Sequence, residues 1–246
     1  MRRARDENAT SVATIFVNPR QFNDASDYAG YPRNESRDLA ICRDEGVDLV
    51  FAPGVEDVYP PGFDTTIVVG AVAEPLEGAA RPGHFAGVAT VVAILFGLVG
   101  ADRAYFGQKD AQQVMVIRQM ARDLAIPIEV IACPTVREPD GLALSSRNVH
   151  LSSRERLAAP VLHRALVAAR TRWEAGERSG AALRALLHET IAAEPLATVD
   201  YVSIADGTTL AELDAVDRPA LASVAVRFGT TRLIDNEPLG IDPTVA

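Results

Sequence analysis

The chain has 246 residues, 48% of them hydrophobic, and a net charge of −9 at pH 7. That acidic balance excludes nucleic acid as the main partner and a basic membrane-surface role, and no apolar run approaches the roughly 20 residues of a membrane span. Residues 1–8 are polar with no signal-peptide core behind them, and two cysteines, Cys42 and Cys133, give neither a disulfide framework nor a metal spacing, so a cytoplasmic enzyme or binding protein is expected.

Residues 11–17 are β-rich and almost wholly apolar, which predicts a buried strand ended by Asn18-Pro19. Asn34 is placed to cap a helix running to Glu45, and Gly46 to stop it. Residues 47–52 predict the next strand, 53–63 a Pro/Gly loop and 65–69 a short strand. After a second loop, 74–85, the apolar run 87–99 is too long for a strand and predicts a buried helix. Residues 103–106 predict a strand, 110–124 a helix with Val114, Ile117, Ala121 and Leu124 on one stripe, and 128–133 a further strand. Such alternation predicts an α/β fold, a parallel sheet covered by helices, with ligands on the loops beyond the strands' carboxyl ends. After Asn148 the order changes. Helices at 153–175, interrupted near Pro160, and at 180–193 come first, and strands at 199–205, 221–228 and 231–235 follow. This predicts a smaller C-terminal α+β domain, with 1–135 and 136–246 as the two domains.

Three of the loops carry chemistry. Lys109 is the only lysine against twenty-three arginines, in Phe106-Gly107-Gln108-Lys109-Asp110. A compact ammonium where a planar fork is avoided points to a tight anionic pocket. A glycine between a strand and a helix start adds free N–H groups and the helix dipole for a phosphate, with Gln113 one turn on. A solvated surface lysine is the competing account. Leu144-Ser145-Ser146-Arg147 offers hydroxyls and a guanidinium to phosphate oxygens. The same tetrapeptide recurs at 151–154, where Ser152 and Glu155 fit a capping box, so the pattern alone is not specific. Asn18 and Gln21, at another strand end, offer amides that suit hydroxyl or carboxylate recognition or a locally satisfied turn. Arg81 could clamp a carboxylate, and His84 could face a pocket or satisfy the following helix. His150, His163 and His188 are assigned to structure or surface. No cluster has protein-metal spacing, and no P-loop, G-x-G-x-x-G or G-x-S-x-G pattern is present.

Taken together, IFVNPRQF, DYAGYPR, VYPPGF, PLEGAARPGHFAGVATVV, RAYFGQKDAQQ and PTVREPDGLALSSRN, in that order over about residues 2–240, resemble the pantoate–β-alanine ligases. The resemblance implies a Rossmann-like nucleotidylyltransferase sheet, a smaller C-terminal lid domain and a homodimer. It implies ATP and Mg²⁺, and a condensation of pantoate with β-alanine through pantoyl adenylate, releasing AMP and pyrophosphate. Carried over by motif, Gly107, Gln108, Lys109, Asp110, Val136, Leu144, Ser145, Ser146 and Arg147 would bind ATP. Lys109 and Arg147 would stabilise the transition-state charge. Gln21 and Gln113 would contact pantoate, Gln21 also β-alanine, and Asn18, Arg81 and His84 are further candidates at that end. The family pattern opens with a strand and Met-Gly-x-Leu-His-x-Gly-His, whose histidines meet the ATP phosphates and include the general acid. That segment does not occur in this sequence, which opens at Arg2-Arg3-Ala4-Arg5 like the end of the helix that follows it. The expectation is a sheet without its first strand, an uncovered edge at residues 11–17, and a shortened reading of the gene. Two other readings stay open: an adenylate-forming ligase for another small carboxylic acid, and a non-catalytic protein that binds nucleotide or pantoate or only dimerises.

Overall fold

The computed structural model describes residues 1–240, and for residues 25–27 the backbone alone. The described chain divides into two units, Met1–Tyr105 with Val116–Ile131, and Phe106–Met115 with residues from Ala132 onward. The end of the expected domain 136–246, residues 241–246, lies outside the described residues.

In the first unit, helix α1 (Arg2–Glu7) is followed by strand β1 (Val12–Thr14), helices α2 (Ala25–Gly30) and α3 (Glu35–Asp44), strand β2 (Leu49–Phe51), helices α4 (Val55–Val58), α5 (Glu77–Ala80) and α6 (His84–Val99), and the start of strand β3 (Arg103–Gly107). Helix α7 (Ala111–Asp123) and strand β4 (Glu129–Cys133) run across the division, and β3 and β4 are hydrogen-bonded neighbours. β1 and β2 pair in parallel, Val12 opposite Leu49 and Thr14 opposite Phe51. The entry to both strands is pinned by Ser11, whose N–H and hydroxyl each donate to Asp48 Oδ2 at 2.8 Å. Those two bonds, the backbone one first, hold the Asp48 carboxyl below its ordinary range. Asn34 caps α3 by accepting from the Arg37 N–H at 3.0 Å, and Gly46 leaves the helix at φ +71°, as the residue types require.

Several elements differ from expectation. The strand at 11–17 is only three residues long and is not buried: Val12 is 37% exposed, and Leu49 opposite it on β2 is 59% exposed. Among the described residues β1 has a single hydrogen-bonded neighbour, so its other edge and this face have no strand to cover them. The stretch 65–69 forms no ladder. Its Ile67 N–H goes to Thr90 Oγ1 at 3.0 Å and Arg20 Nη1 takes the Thr65 carbonyl at 3.2 Å, so side chains replace a partner strand. β-propensity reflects the surface a segment finds rather than a fixed backbone preference. The loops 53–63 and 74–85 contain α4 and α5, single turns too short to show a period; α4 is started by Asp57, whose carboxylate accepts from the Gly54 N–H at 2.8 Å. α6 begins at His84, after Gly83 at φ +82°, and only its first half is buried; Leu98 is 57% exposed. On α7, Val114, Ile117 and Ala121 are buried as the stripe predicts, but Leu124 follows the last turn and is 53% exposed.

The second unit is built on a three-stranded antiparallel sheet, β5 (Ala197–Asp206), β6 (Ala220–Phe228) and β7 (Thr231–Leu239), in that spatial order. Helix α8 (Ser153–Ala158) precedes α9 (Val161–Glu174), which is separated from it at Pro160 as expected, and α10 (Gly180–Ala192) follows. Ser152 and Glu155 form the expected capping box. Leu162, Leu166, Leu183, Leu187 and Ile191 of the helices join Ile204, Val224, Val226 and Phe228 of the sheet in one core, each fully buried or nearly so. β7 runs four residues beyond its expected end. Asn236, Glu237 and Pro238 look like a stop, but β7 is an edge strand, where a missing proline N–H costs no ladder bond on the open side. The fold is thus α/β, with a parallel-strand unit and a C-terminal antiparallel one.

Candidate functional site

In the first unit, Asn18 and the 3-10 turn Pro19–Gln21 follow β1. Asn18 is buried and every polar atom of its side chain is used. Oδ1 accepts from the Arg20 N–H at 3.2 Å and from Tyr59 Oη at 2.8 Å. Nδ2 donates to Gln21 Oε1 at 3.0 Å and to the Gly87 carbonyl at 3.1 Å. Burial pushes the Tyr59 phenol up to about 12, against the opposing Arg20 charge, so it remains a donor. His84 Nδ1 lies 2.8 Å from the Gln21 carbonyl, which can only accept, so that nitrogen carries the proton. Nε2 is then the lone-pair nitrogen and accepts from Arg81 Nη1 at 3.2 Å, while Arg81 Nη2 donates to the same carbonyl at 3.2 Å. Asn18 therefore holds the Gln21 side chain, while Arg81 and His84 hold its carbonyl. The Gln21 Nε2 has no partner among the described residues and is left as a donor. Tyr59 and Gly87 were not singled out in the sequence; a glycine inside the helical run 87–99 is the only local signal for either.

In the second unit, β3 ends at Gly107, the 3-10 turn Gln108–Asp110 follows, and α7 begins at Ala111. Nothing lies within 4 Å of where a Gly107 Cβ would stand, so the backbone there is open to close approach. Lys109 is largely buried, with Nζ 3.2 Å from Asp110 Oδ1. Gln108 turns inward: it is 4% exposed and its Nε2 donates to Asn236 Oδ1 at 3.3 Å. Gln113 sits half-buried in the first turns of α7.

Residues 136–144 form a hairpin. Arg137 bridges Ala143, the Leu144 N–H reaches the Val136 carbonyl at 2.9 Å, and Gly141 turns at φ +93°. Val136 and Leu144 are thereby brought opposite each other, and both are exposed. Ser145 then caps the 3-10 turn Ser146–His150, its Oγ accepting from the Arg147 N–H at 3.3 Å. Ser146 is exposed and Arg147 half-buried on that turn. Lys109 and Ser145, from separate loops, line one cavity of about 10 Å³ with Asn148 and Asp235. That is space for one water.

His163 of α9 packs on the hairpin, its Cγ 3.1 Å from where a Gly141 Cβ would stand. Its Nδ1 is buried without a partner among the described residues. Burial first, and then the Arg137 charge, holds its pKa below the ordinary histidine value; Asp235 and Glu237 oppose and Arg170 assists. A depressed basic group binds fewer protons folded than unfolded, so stability rises with pH between its folded value and about 6.5. We expect the stability of the chain to fall on acidification through that window, by at most about 1.4 kcal/mol per pH unit, the limit for one proton. Thermal melts of the wild type and His163→Leu across pH 5–8 check this: the variant should show a flatter slope, and parallel slopes would contradict it.

The described chain thus combines a parallel α/β unit with a strand-to-helix loop whose lone lysine meets Ser145 of a second loop. A sequence profile of the family described as Pantoate-beta-alanine ligase matches residues 1–238. The pantothenate synthetase of Roseiflexus sp. (strain RS-1) is 62% identical over 236 residues, 96% of this chain and 85% of that protein. That of Chloroflexus aggregans is 59% identical over 95% of this chain and 85% of its own length. The crystal structure of pantothenate synthetase from Thermus thermophilus superposes with a TM-score of 0.93 at 52% identity, covering 96% of this chain and 86% of that one. The ligase of Francisella tularensis, solved with β,γ-ATP and β-alanine, gives a TM-score of 0.77 at 33% identity over 98% of this chain and 84% of its own. This chain belongs to the pantoate–β-alanine ligase family.

Proposed function

We propose that the chain makes pantothenate from pantoate, β-alanine and ATP in two steps. A pantoate carboxylate oxygen attacks the α-phosphorus of ATP, and the bond to the bridging oxygen breaks, giving pantoyl adenylate and pyrophosphate. The β-alanine amine then attacks the acyl carbon, losing a proton as AMP leaves. The observation that carries the nucleotide half is the convergence of Lys109 and Ser145 from two different loops.

Carboxylate attack on a phosphate forces anions together, so the barrier depends on cations placed beforehand. Lys109 and Arg147 fill that role in this reading, with Gly107, Gln108, Asp110, Ser145 and Ser146 around the phosphates and Val136 and Leu144 toward the base. Gln108 acts through its backbone, since its side chain is turned inward. Gln21 offers its Nε2 to pantoate and β-alanine. Asn18, Arg81 and His84 hold it in place, and Gln113 contacts pantoate. Magnesium belongs to the proposal as the counter-ion of the ATP phosphates, whose charge it neutralises. Among the described residues no group of three or more His, Cys, Asp or Glu is placed to hold a metal. Among the described residues no helix is long and apolar enough to cross a membrane; a homodimer in the cytoplasm completes the proposal.

Pantoate labelled with ¹⁸O in its carboxylate tests the first step. One labelled oxygen should appear in AMP. Formation of ADP, with the label leaving in inorganic phosphate, would exclude an adenylate.

A further inference from the structure

Two consecutive residues of β7, Asp235 and Asn236, reach both loops to which the nucleotide reading assigns ATP. Successive strand residues point to opposite faces, so a dipeptide can serve two neighbours at once. Both are buried, at 3% and 5% exposure, and the side-chain atoms of each are engaged by neighbouring residues of the chain. Asn236 Nδ2 donates to the carbonyls of Gln108 at 2.9 Å and Lys109 at 2.8 Å, and its Oδ1 accepts from Gln108 Nε2. The backbone from which Lys109 projects is thus fixed by one amide. Asp235 takes the guanidinium fork of Arg137, Oδ2 from Nη1 at 2.6 Å and Oδ1 from Nη2 at 3.0 Å. Arg137 Nη1 also donates to the Gly141 carbonyl at 3.1 Å, across the hairpin that carries Val136 and Leu144. The two grips are joined, since the Asn236 N–H donates to Asp235 Oδ1 at 2.9 Å. One unbroken run of hydrogen bonds therefore leads from the Lys109 carbonyl to Gly141.

We infer that Asp235 and Asn236 are positioning residues for the nucleotide site, setting the Lys109 loop and the 136–144 hairpin at a fixed spacing. This rests on the proposed ATP-binding role of those loops. A displacement of about 1 Å in a reacting group costs on the order of 100-fold in rate, and the amide of Asn236 is what holds Lys109 to less than that.

The test is ATP affinity by titration calorimetry, with kcat and KM for each substrate, on full-length wild type, Asn236→Ala and Leu239→Ala. Leu239 is fully buried in the core on the same strand and serves as the control for lost stability. We expect Asn236→Ala to weaken ATP binding about 10- to 100-fold, with the KM for β-alanine within about twofold. Leu239→Ala should melt earlier yet bind ATP like wild type. Lys109→Ala combined with Asn236→Ala should be no worse, within about threefold, than Lys109→Ala alone, because the two act as a unit. If Asn236→Ala does not fold, Arg137→Lys, which keeps the charge but loses the fork, should show the same selective loss. Wild-type ATP affinity in Asn236→Ala or Arg137→Lys, or an equal loss in Leu239→Ala, would overturn this inference alone. A wild-type chain that binds no ATP would overturn it together with the nucleotide reading.

Discussion

Lys109→Ala is expected to slow pantoate adenylation about 100- to 1000-fold, a loss of roughly 3–4 kcal/mol of transition-state stabilisation, while barely moving the melting temperature. The two effects separate because they draw on different interactions. Among the described residues Lys109 makes one ion pair, 3.2 Å to an Asp110 carboxylate that is 46% exposed. Pairs of that kind contribute about 0–1 kcal/mol. Against a triphosphate gathering charge in a water-poor site, the same ammonium is worth several times more. Lys109→Arg should recover only part of the rate. The planar fork needs width, and the cavity beside Lys109 and Ser145 measures about 10 Å³. Pre-steady-state adenylation rates set beside thermal melts check this. Losses of similar size in both would make Lys109 structural.

Gly87→Ala is expected to cut activity about 100-fold and to destabilise the chain by about 1–3 kcal/mol. Helix propensity argues the other way, since alanine in a helix interior gains up to about 1 kcal/mol over glycine. Sterics decide it. A Cβ at Gly87 would collide with the Arg20 carbonyl oxygen and stand 2.6 Å from its carbon and 2.9 Å from the Gln21 nitrogen. These are backbone atoms that no rotamer change can clear. Relief requires the turn Pro19–Gln21 to move off α6. That breaks the 3.1 Å bond from Asn18 to the Gly87 carbonyl and the 2.8 Å bond from His84 to Gln21. Gly97, on the same helix, has nothing within 4 Å of its Cβ position, so Gly97→Ala should be neutral or stabilising. Chemical denaturation and steady-state rates on the pair give the answer. Equal behaviour of the two would refute the close-approach account.

The parts of the fold that sequence conveyed are those with a local cause. The α3 cap and stop at Asn34 and Gly46, the Val114–Ile117–Ala121 stripe and the break at Pro160 each follow from residues within a few positions of one another. The loops at strand ends were visible for the same reason, as a glycine, a lone lysine and a serine-arginine run between periodic segments. What stayed hidden depends on distant partners. Asn18 meets the Gly87 carbonyl across 69 residues, and Gln108 meets Asn236 across 128. Neither pair leaves a period. The polar stretch Asn236-Glu237-Pro238 reads as a strand end because its hydrogen bonds go to a loop and an open edge. The strand expected at 65–69 failed for the converse reason: its residues favour a ladder, but Thr90 and Arg20 reach its backbone first.

Exchange of labelled pyrophosphate into ATP tests the central claim most directly, because it reports the carboxylate activation alone. With pantoate present and β-alanine omitted, the chain should exchange label, and omitting pantoate should abolish it. Exchange supported by a different small carboxylic acid but not by pantoate, or ATP binding with no exchange under any acid, would contradict the account.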